Sequence, residues 1–446
     1  MNKILTLFMF LTFFICLFSC KESPNWTLDQ DNKMIGFKFN FQNVVYDSVE
    51  FQIGIKGIEN KEFVRVNYWN DPKSILGLKE NCIYNVTPTL FKDGSELVMD
   101  LKSIQMPDMN DSILTITTKN VSNFKFQKNI LIRRFFRNGY HFIIDSDGDV
   151  IWYDSLGDDV MRAFHPVSNN SNIVDLRDSS RIVESNLYGD IVNEIKTSDT
   201  LKFHHEILKH DDKYVAIFYD KKVFDLSLVG GNKEDIVNTD GIIVFDTLGR
   251  VVFKWSVFDV INPIEIDNVL IAKKDLGHAN AVMVDRDGNY MISLRDFNQI
   301  WKINSANGEL MWKLGENGDF PLPDSLEFIG QHSVELNKYG GFDVFDNGNK
   351  QIRPESRIIN FILDEENKLI KKSKLIPLSL DLTSYRMCSA YQIDLNHYLV
   401  CTTRKQLLVS VVDLDGNVVW QISGNQASYR AYPVDWFVND SFHSSK

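Results

Sequence analysis

A short unit recurs six times in the last two-thirds of the chain and constrains the fold more than any other feature. Each copy is a polar turn carrying Gly or Asn, followed by apolar residues that often end in Trp. The copies are DSDGDVIWY at 145–153, LYGDIVNEI at 187–195, TLGRVVFKW at 247–255, ANGELMWKL at 306–314, EENKLIKKS at 365–373 and DLDGNVVWQI at 413–422. They follow one another at roughly 40 to 65 residues, the range of propeller blades and not of helical solenoids. Alternating strands precede each copy, and no stretch between them carries a 3.6-residue pattern of helix length. Closing such sheets into a ring removes their exposed edges, a physical reason for the unit to repeat. The reading is all-β, with a six-bladed β-propeller over residues 135–446.

Residues 21–134 have a different texture. Segments such as KFNFQNVVY, SVEFQIGI, CIYNVTPTLF and ILTITTK alternate apolar and polar residues. Asp, Asn, Gly and Pro break them at intervals of about ten residues, the pattern of a small β-sandwich. The first twenty residues form a third region, with Lys3, an apolar run from Ile4 to Phe18, then Ser19 and Cys20. That run is shorter than the roughly 20 residues of a spanning helix and stands where a signal peptide stands. Leu17-Phe18-Ser19-Cys20 resembles a bacterial lipobox, which makes Cys20 the expected lipidation site. The expected protein is exported and lipid-anchored at the bacterial cell envelope, on its periplasmic or surface face.

The formal net charge of -12 argues against a nucleic-acid partner, which wants a basic face. Of the five cysteines, Cys16 falls in the leader and Cys20 takes the lipid. The remaining Cys82, Cys388 and Cys401 cannot all pair within one chain. Cys388 and Cys401 flank the hairpin SAYQIDLNHYLV, where a disulfide is permitted outside the cytoplasm and two buried thiols fit equally well. The Asp-x-Asp-Gly groups at Asp145, Asp285 and Asp413 lack the spacing and final glutamate of an EF-hand. They read as hairpin turns at one repeated place in the blades, with Gly supplying the positive φ.

Chemistry concentrates on three aligned segments: HHEILKHDDKYVAIFYD, HANAVMVDRDGNYMISLRD and HSVELNKYGGFDVFD. In each, a histidine precedes a short strand, a polar turn and a second apolar strand. Equivalent positions in successive blades face the axis alike, so His205, His278 and His332 converge in one mouth. The register selects His205 over His204. Arg295 sits in the strand after His278 and faces the same funnel. A lone histidine would be a structural filler of the funnel wall; agreement across three blades makes a site. An imidazole serves as a nucleophile, and an arginine fork suits a tetrahedral oxyanion.

The fragments GHANAV, DGNYMISLRDFNQIWKIN, GELMWKLG, QHSVEL, FDNG and the final SYRAYPV together resemble the bacterial arylsulfotransferases, which work without a nucleotide sulfate donor. The resemblance runs from about Gly139 to the C-terminus and implies the same propeller. It implies that His332 is the nucleophile that becomes transiently sulfated, and that His278, Arg295 and His205 hold the sulfate. Asn280 falls two residues after His278, as in that family, and Thr402 or Thr403 approaches from the last blade; these three are substrate-binding candidates. The implied partners are an aryl sulfate donor and a phenolic acceptor, with no cofactor, and a membrane reached through Cys20. A homo-oligomer stays open. One difference stands: Gly315 to Gln331 holds no cysteine, where some members brace this loop with a disulfide.

Two rival readings compete with this one. Three histidines also suit a divalent ion in a metal-dependent lyase or hydrolase. However, HExxH is absent, because His205 and His210 are one residue too far apart, and Arg295 would repel a cation. The other is a non-catalytic binding propeller held by its lipid, since fold alone does not give function.

Overall fold

The structure is a computed structural model. It describes residues 23–30, 35–58, 62–67, 74–107, 114–120, 122, 124–134, 139–157, 161–167, 170–403, 406–425 and 428–437. The leader with Cys20 lies outside the described residues. The chain divides into two compact units, residues 1–109 with 437–446, and residues 110–436.

The first unit carries two antiparallel sheets. One joins Asn25–Gln30, Gly36–Gln42 and Ser74–Leu76. The other joins Glu62–Asn67, Ser48–Ile55, Ile83–Lys92 and Ser95–Val98, with Lys102–Gln105 also paired to Ile83–Lys92. Alternation puts Phe37, Phe39 and Phe41 on one face of the first sheet. They and Trp26 surround Phe51 of the second sheet at ring-centroid distances of 4.6 to 6.5 Å.

The second unit is all-β and propeller-like. Six sheets follow in chain order among its described residues. Their leading strands are Ser428–Val434, Phe164–Val167, Phe203–His210, Ala279–Val284, Ser333–Leu336 and Ser389–Gln392. Each leading strand lies against the next, and the sixth returns to the first. The two ends of the unit are interlocked. Ser428–Val434 pairs with Asn129–Arg134 in the first sheet, and Ile116–Asn120 pairs with Val418–Gly424 at the edge of the sixth. The division of the chain therefore falls at 109/110 and not at 134/135. Among the described residues, Ile116–Asn120 pairs only with a strand about three hundred residues on, and Asn129–Arg134 lies between that far end and the adjacent Gly139–Ile144, so both belong with the second unit.

All six recurring units fall in one place, the hairpin between the third and fourth strands of a sheet. Their tryptophans Trp152, Trp255, Trp312 and Trp420 are buried between sheets. The indoles of Trp152 and Trp420 donate across to Leu187 O at 2.9 Å and Ser146 O at 3.0 Å, the second tying the sixth sheet to the first. Truncating such a side chain typically costs about 3 to 5 kcal/mol. One expectation is corrected here. The Asp285 turn has the same form as those at Asp145 and Asp413, but it joins the first and second strands of its sheet.

In the third sheet, Lys213–Phe224 and Asp235–Asp246 run past their neighbours and pair over twelve residues. Together with residues 257–276 they build an extension with a core of Leu226, Val237, Val269 and Leu276. Cys388 and Cys401 are both fully buried. No helix among the described residues is long and apolar enough to cross a membrane.

Candidate active site

His278 immediately precedes Ala279–Val284, His332 immediately precedes Ser333–Leu336, and His204 and His205 lie within Phe203–His210. Two of these sites break their ladders. The pairing register slips between His204 and Ile207, and again between Ala279 and Ala281. His205 and His278 have φ of 55° and 50°, a left-handed conformation uncommon outside glycine that is held only where the surroundings demand it. Such bulges re-aim side chains. The rings of His205 and His278 meet edge to face at 4.8 Å. Tyr429, on the leading strand of the first sheet, has its ring 6.3 Å from that of His205 and 5.3 Å from that of His332. Its hydroxyl lies 3.4 Å from His332 Nε2. His205 and His332 thus flank one tyrosine, and His278 meets His205, so histidines of three consecutive sheets form one cluster.

Neighbouring groups orient each ring. Asp275 Oδ2 lies 2.6 Å from His278 Nδ1, turning His278 Nε2 away from the carboxylate. His332 N–H donates to Phe345 O at 3.0 Å. The preceding peptide is fixed by Gln331, whose amide reaches Ser293 Oγ, Leu294 O and Gln299 O at 3.0 to 3.2 Å. Asn280 donates from Nδ2 to Gln331 O at 2.8 Å. One of its two N–H bonds therefore braces the His332 segment.

Burial and nearby charge keep two of the rings neutral. Burial pushes His332 well below the usual imidazole value, and the charges of Arg430, His278 and Arg295 push the same way. His205 is likewise driven well down by burial, then by His204, His278 and His332. Arg430 is buried against Glu206, and its NH2 group also reaches Asn280 O at 3.3 Å. The combination is two neutral imidazoles beside a buried cation. It welcomes an anion and leaves ring lone pairs free to attack.

Arg295 lies just outside its expected strand. The strand Tyr290–Leu294 ends one residue earlier, and Arg295–Phe297 forms a 3-10 turn closed by Asn298 at φ 51°. Arg295 N and Asp296 N turn back to His278 O and Gly277 O instead of continuing the ladder. The guanidinium keeps its Nε on Asp296 Oδ1 at 2.7 Å and remains partly exposed. Its charge is felt by both His332 and Asp275. Thr402 is buried on the second strand of the sixth sheet, paired in register with Leu408. Thr403 ends that strand, and its side chain lies outside the described residues.

The family model for arylsulfotransferases (ASST) matches residues 172–426, a span that contains His205, His278, Arg295 and His332. The chain belongs to the arylsulfotransferase family. No curated protein matches it. Among solved structures this arylsulfotransferase-family chain is similar to a protein of unknown function from Bacteroides caccae, at 13% identity and a TM-score of 0.46 over 69% of this chain and 99% of that one. It is similar to virginiamycin B lyase from Staphylococcus aureus, at 10% identity and a TM-score of 0.33 over 70% and 99%. It is also similar to BamB from Moraxella catarrhalis, at 12% identity and a TM-score of 0.32 over 91% and 99%.

Several residues around this site were not legible from the motifs. Asp240 and Asp275 come from the extension of the third sheet, where no repeat marks them. Arg430 sits in the SYRAYPV segment, which the family resemblance includes and sets near the funnel, but that resemblance gave it no role in the site and its alternation does not show its burial against Glu206. The one available signal was the doubled His204-His205, a pair that a regular strand would split between opposite faces.

Proposed function

We propose that this protein moves a sulfuryl group from a phenolic sulfate ester to a phenol through a sulfohistidine at His332, with no nucleotide donor. The supporting observation is the cluster of His205 and His332 about Tyr429 with His278 against His205, within the field of Arg295 and Arg430, in a chain of the arylsulfotransferase family. We read the second unit as a six-bladed propeller and the first as a β-sandwich platform. The mature protein is held at the cell envelope by lipid on Cys20.

In the first half-reaction a nitrogen of neutral His332 attacks sulfur in line with the departing phenolate. The S–O bond to the donor breaks as the S–N bond forms, and a histidine of the site gives the leaving oxygen its proton. Arg295, His278 and His205 hold the sulfuryl oxygens, over which charge spreads as in phosphoryl transfer, so catalysis is mostly positioning and electrostatics. The second half-reaction reverses these steps with a new phenol. No Gly-x-x-x-x-Gly-Lys-Ser/Thr loop stands in the sequence to cradle a nucleotide.

The test mixes the purified protein with 4-nitrophenyl sulfate, with and without a phenol acceptor, in EDTA throughout. Nitrophenolate release that rises with acceptor and is lost in His332→Gln is expected. No release across a panel of aryl sulfates and phenols would overturn the proposal.

A further inference from the structure

His204 and His205 are consecutive, yet their Nδ1 atoms lie 2.6 Å apart. The bulge between His204 and Ile207 makes this contact possible, because a regular strand would point the two rings to opposite faces. On its far side, His204 Nε2 lies 3.0 Å from Asp240 Oδ1. The two atoms sit off the line of an ideal hydrogen bond, and both are buried without another partner among the described residues. Asp240 Oδ2 accepts Ala279 N–H, which leaves Oδ1 facing the His204 ring. Tyr219 stacks on the His204 ring at 3.8 Å and fixes its plane. The row Asp240, His204, His205 thus leads from a buried carboxylate to a ring beside His278 and Tyr429.

We propose that Asp240 and His204 form a proton relay that switches His205 between acid and base in the two half-reactions. This rests on the sulfuryl-transfer reading above. Two ring nitrogens 2.6 Å apart share a single proton, since two protons would collide and two lone pairs would repel. When His204 is the imidazolium paired with Asp240, it donates from Nδ1. His205 then accepts at Nδ1 and carries its own proton on Nε2. In the first half-reaction that Nε2 proton goes to the departing phenolate oxygen as the S–O bond breaks. The shared proton crosses from His204 to His205, leaving His204 neutral. His205 exchanges one tautomer for the other and never becomes charged, which suits a ring whose surroundings oppose a positive charge. In the second half-reaction the acceptor phenol gives its proton to His205 Nε2, the shared proton returns, and His204 is an imidazolium again. One proton is lent and recovered per turnover, with no outside acid. His204 and Asp240 act through His205 and are positioning residues.

The experiment compares wild type with Asp240→Asn and His204→Gln across aryl sulfates of graded leaving-group pKa. An asparagine at 240 keeps an acceptor for Ala279 N–H but turns an amide donor toward His204 Nε2, so it removes both the charge and the acceptor that the imidazolium needs. General acid help is typically worth about 10² to 10⁴ in rate, and a poor leaving group needs it most. The expected result is a loss below about 10-fold with 4-nitrophenyl sulfate and about 10² or more with phenyl sulfate, so the leaving-group dependence of kcat/KM steepens. A uniform loss along the series, or none, would overturn the relay. A second measurement uses ¹⁵N NMR of the histidine rings in the resting wild-type protein. An imidazolium at His204 with protonated Nε2 on His205 is expected, and a neutral His204 would overturn the relay. The NMR result does not depend on turnover, so failure of the relay is distinct from failure of the sulfuryl-transfer reading, which shows as no release by wild type.

Discussion

Asp275 Oδ2 lies 2.6 Å from Nδ1 of His278, and the carboxylate comes from the extension of the third sheet while the imidazole belongs to the fourth. The partner on one ring nitrogen decides what the other presents. Here Asp275 accepts from Nδ1 and leaves Nε2 as the ring's other hydrogen-bonding atom. Asp275→Asn should disturb that choice. A misplaced tautomer has cost up to about 10⁴ in a buried catalytic site, but Asp275 is half-exposed, and water replaces part of its effect. The expected loss in donor kcat/KM is about 10- to 100-fold, with the melting temperature unchanged. Steady-state kinetics and a thermal scan check it. A loss matched by a fall in melting temperature would mean that Asp275 only braces the extension.

The pH profile offers a separate handle. His332 is faced by Arg430, Arg295, His278, Tyr429 and the Cys388 backbone. Burial first, then the charges of Arg430, His278 and Arg295, hold it well below an imidazole's usual value. It therefore keeps its lone pair in mild acid. An ordinary histidine with a pKa of about 6.5 would lose about tenfold of its neutral form between neutrality and pH 5.5. Single-turnover release of 4-nitrophenol should hold nearly flat over that interval. Arg295→Gln removes one of the charges and should move the acid limb upward. A limb near 6.5 in the wild type would show that the nucleophile is not in the environment described here.

Much of this was legible in the sequence, and the parts that were not share one cause. The six turn-and-strand units found their sheets because each is local and each repeats. His205, His278 and His332 were legible because they hold equivalent places in three repeats. The strand 129–134 belongs across the expected boundary, because it pairs with 139–144 on one side and with 428–434 from the far end of the chain on the other. Asp240 and Asp275 escaped notice for a related reason. They belong to an insertion that one sheet has and the others lack, so no register could single them out. Arg295 was set one residue too far into its strand, since the backbone of Gly277 and His278, and not its own sequence, stops the ladder there.

Asp175 gives a prediction for stability. It lies fully buried between Arg133 and His141, with Oδ1 2.6 Å from Arg133 Nη1 and 3.0 Å from His141 Nε2, so it joins the first sheet to the second. Burial alone would raise its pKa, but His141 and Arg133, helped by Arg177, outweigh burial and hold the carboxyl well below its usual value. The sign follows from linkage. A depressed carboxylate contributes stability that is present above its unfolded value of about 3.9 and is lost as pH falls below it toward the folded value. Asp175→Asn should leave the buried Arg133 charge unpaired and cost about 3 to 5 kcal/mol at pH 7, seen as a lower urea midpoint. The gap between wild type and variant should narrow below pH 4. A gap that is constant with pH would show that Asp175 acts by packing and not by charge.

Two glycines of matching turns should respond differently to the same change. Gly288 and Gly416 each follow an Asp-x-Asp and have φ of 80° and 83°. A Cβ on Gly288 meets open space, whereas one on Gly416 would sit 1.8 Å from Pro377 O, at the end of the outer strand of the fifth sheet. Gly288→Ala should therefore cost only the left-handed conformation, about 1 to 2 kcal/mol. Gly416→Ala adds a backbone clash, typically about 1 to 3 kcal/mol more, because the turn of the sixth sheet is seated against its neighbour. Asn tolerates the left-handed region, so Gly288→Asn should recover part of the loss while Gly416→Asn should not. Urea midpoints of the four variants decide the matter. Equal losses at the two positions would mean that the sixth sheet is not seated on Pro377, and the contact inferred between the fifth and sixth sheets at that edge would fall.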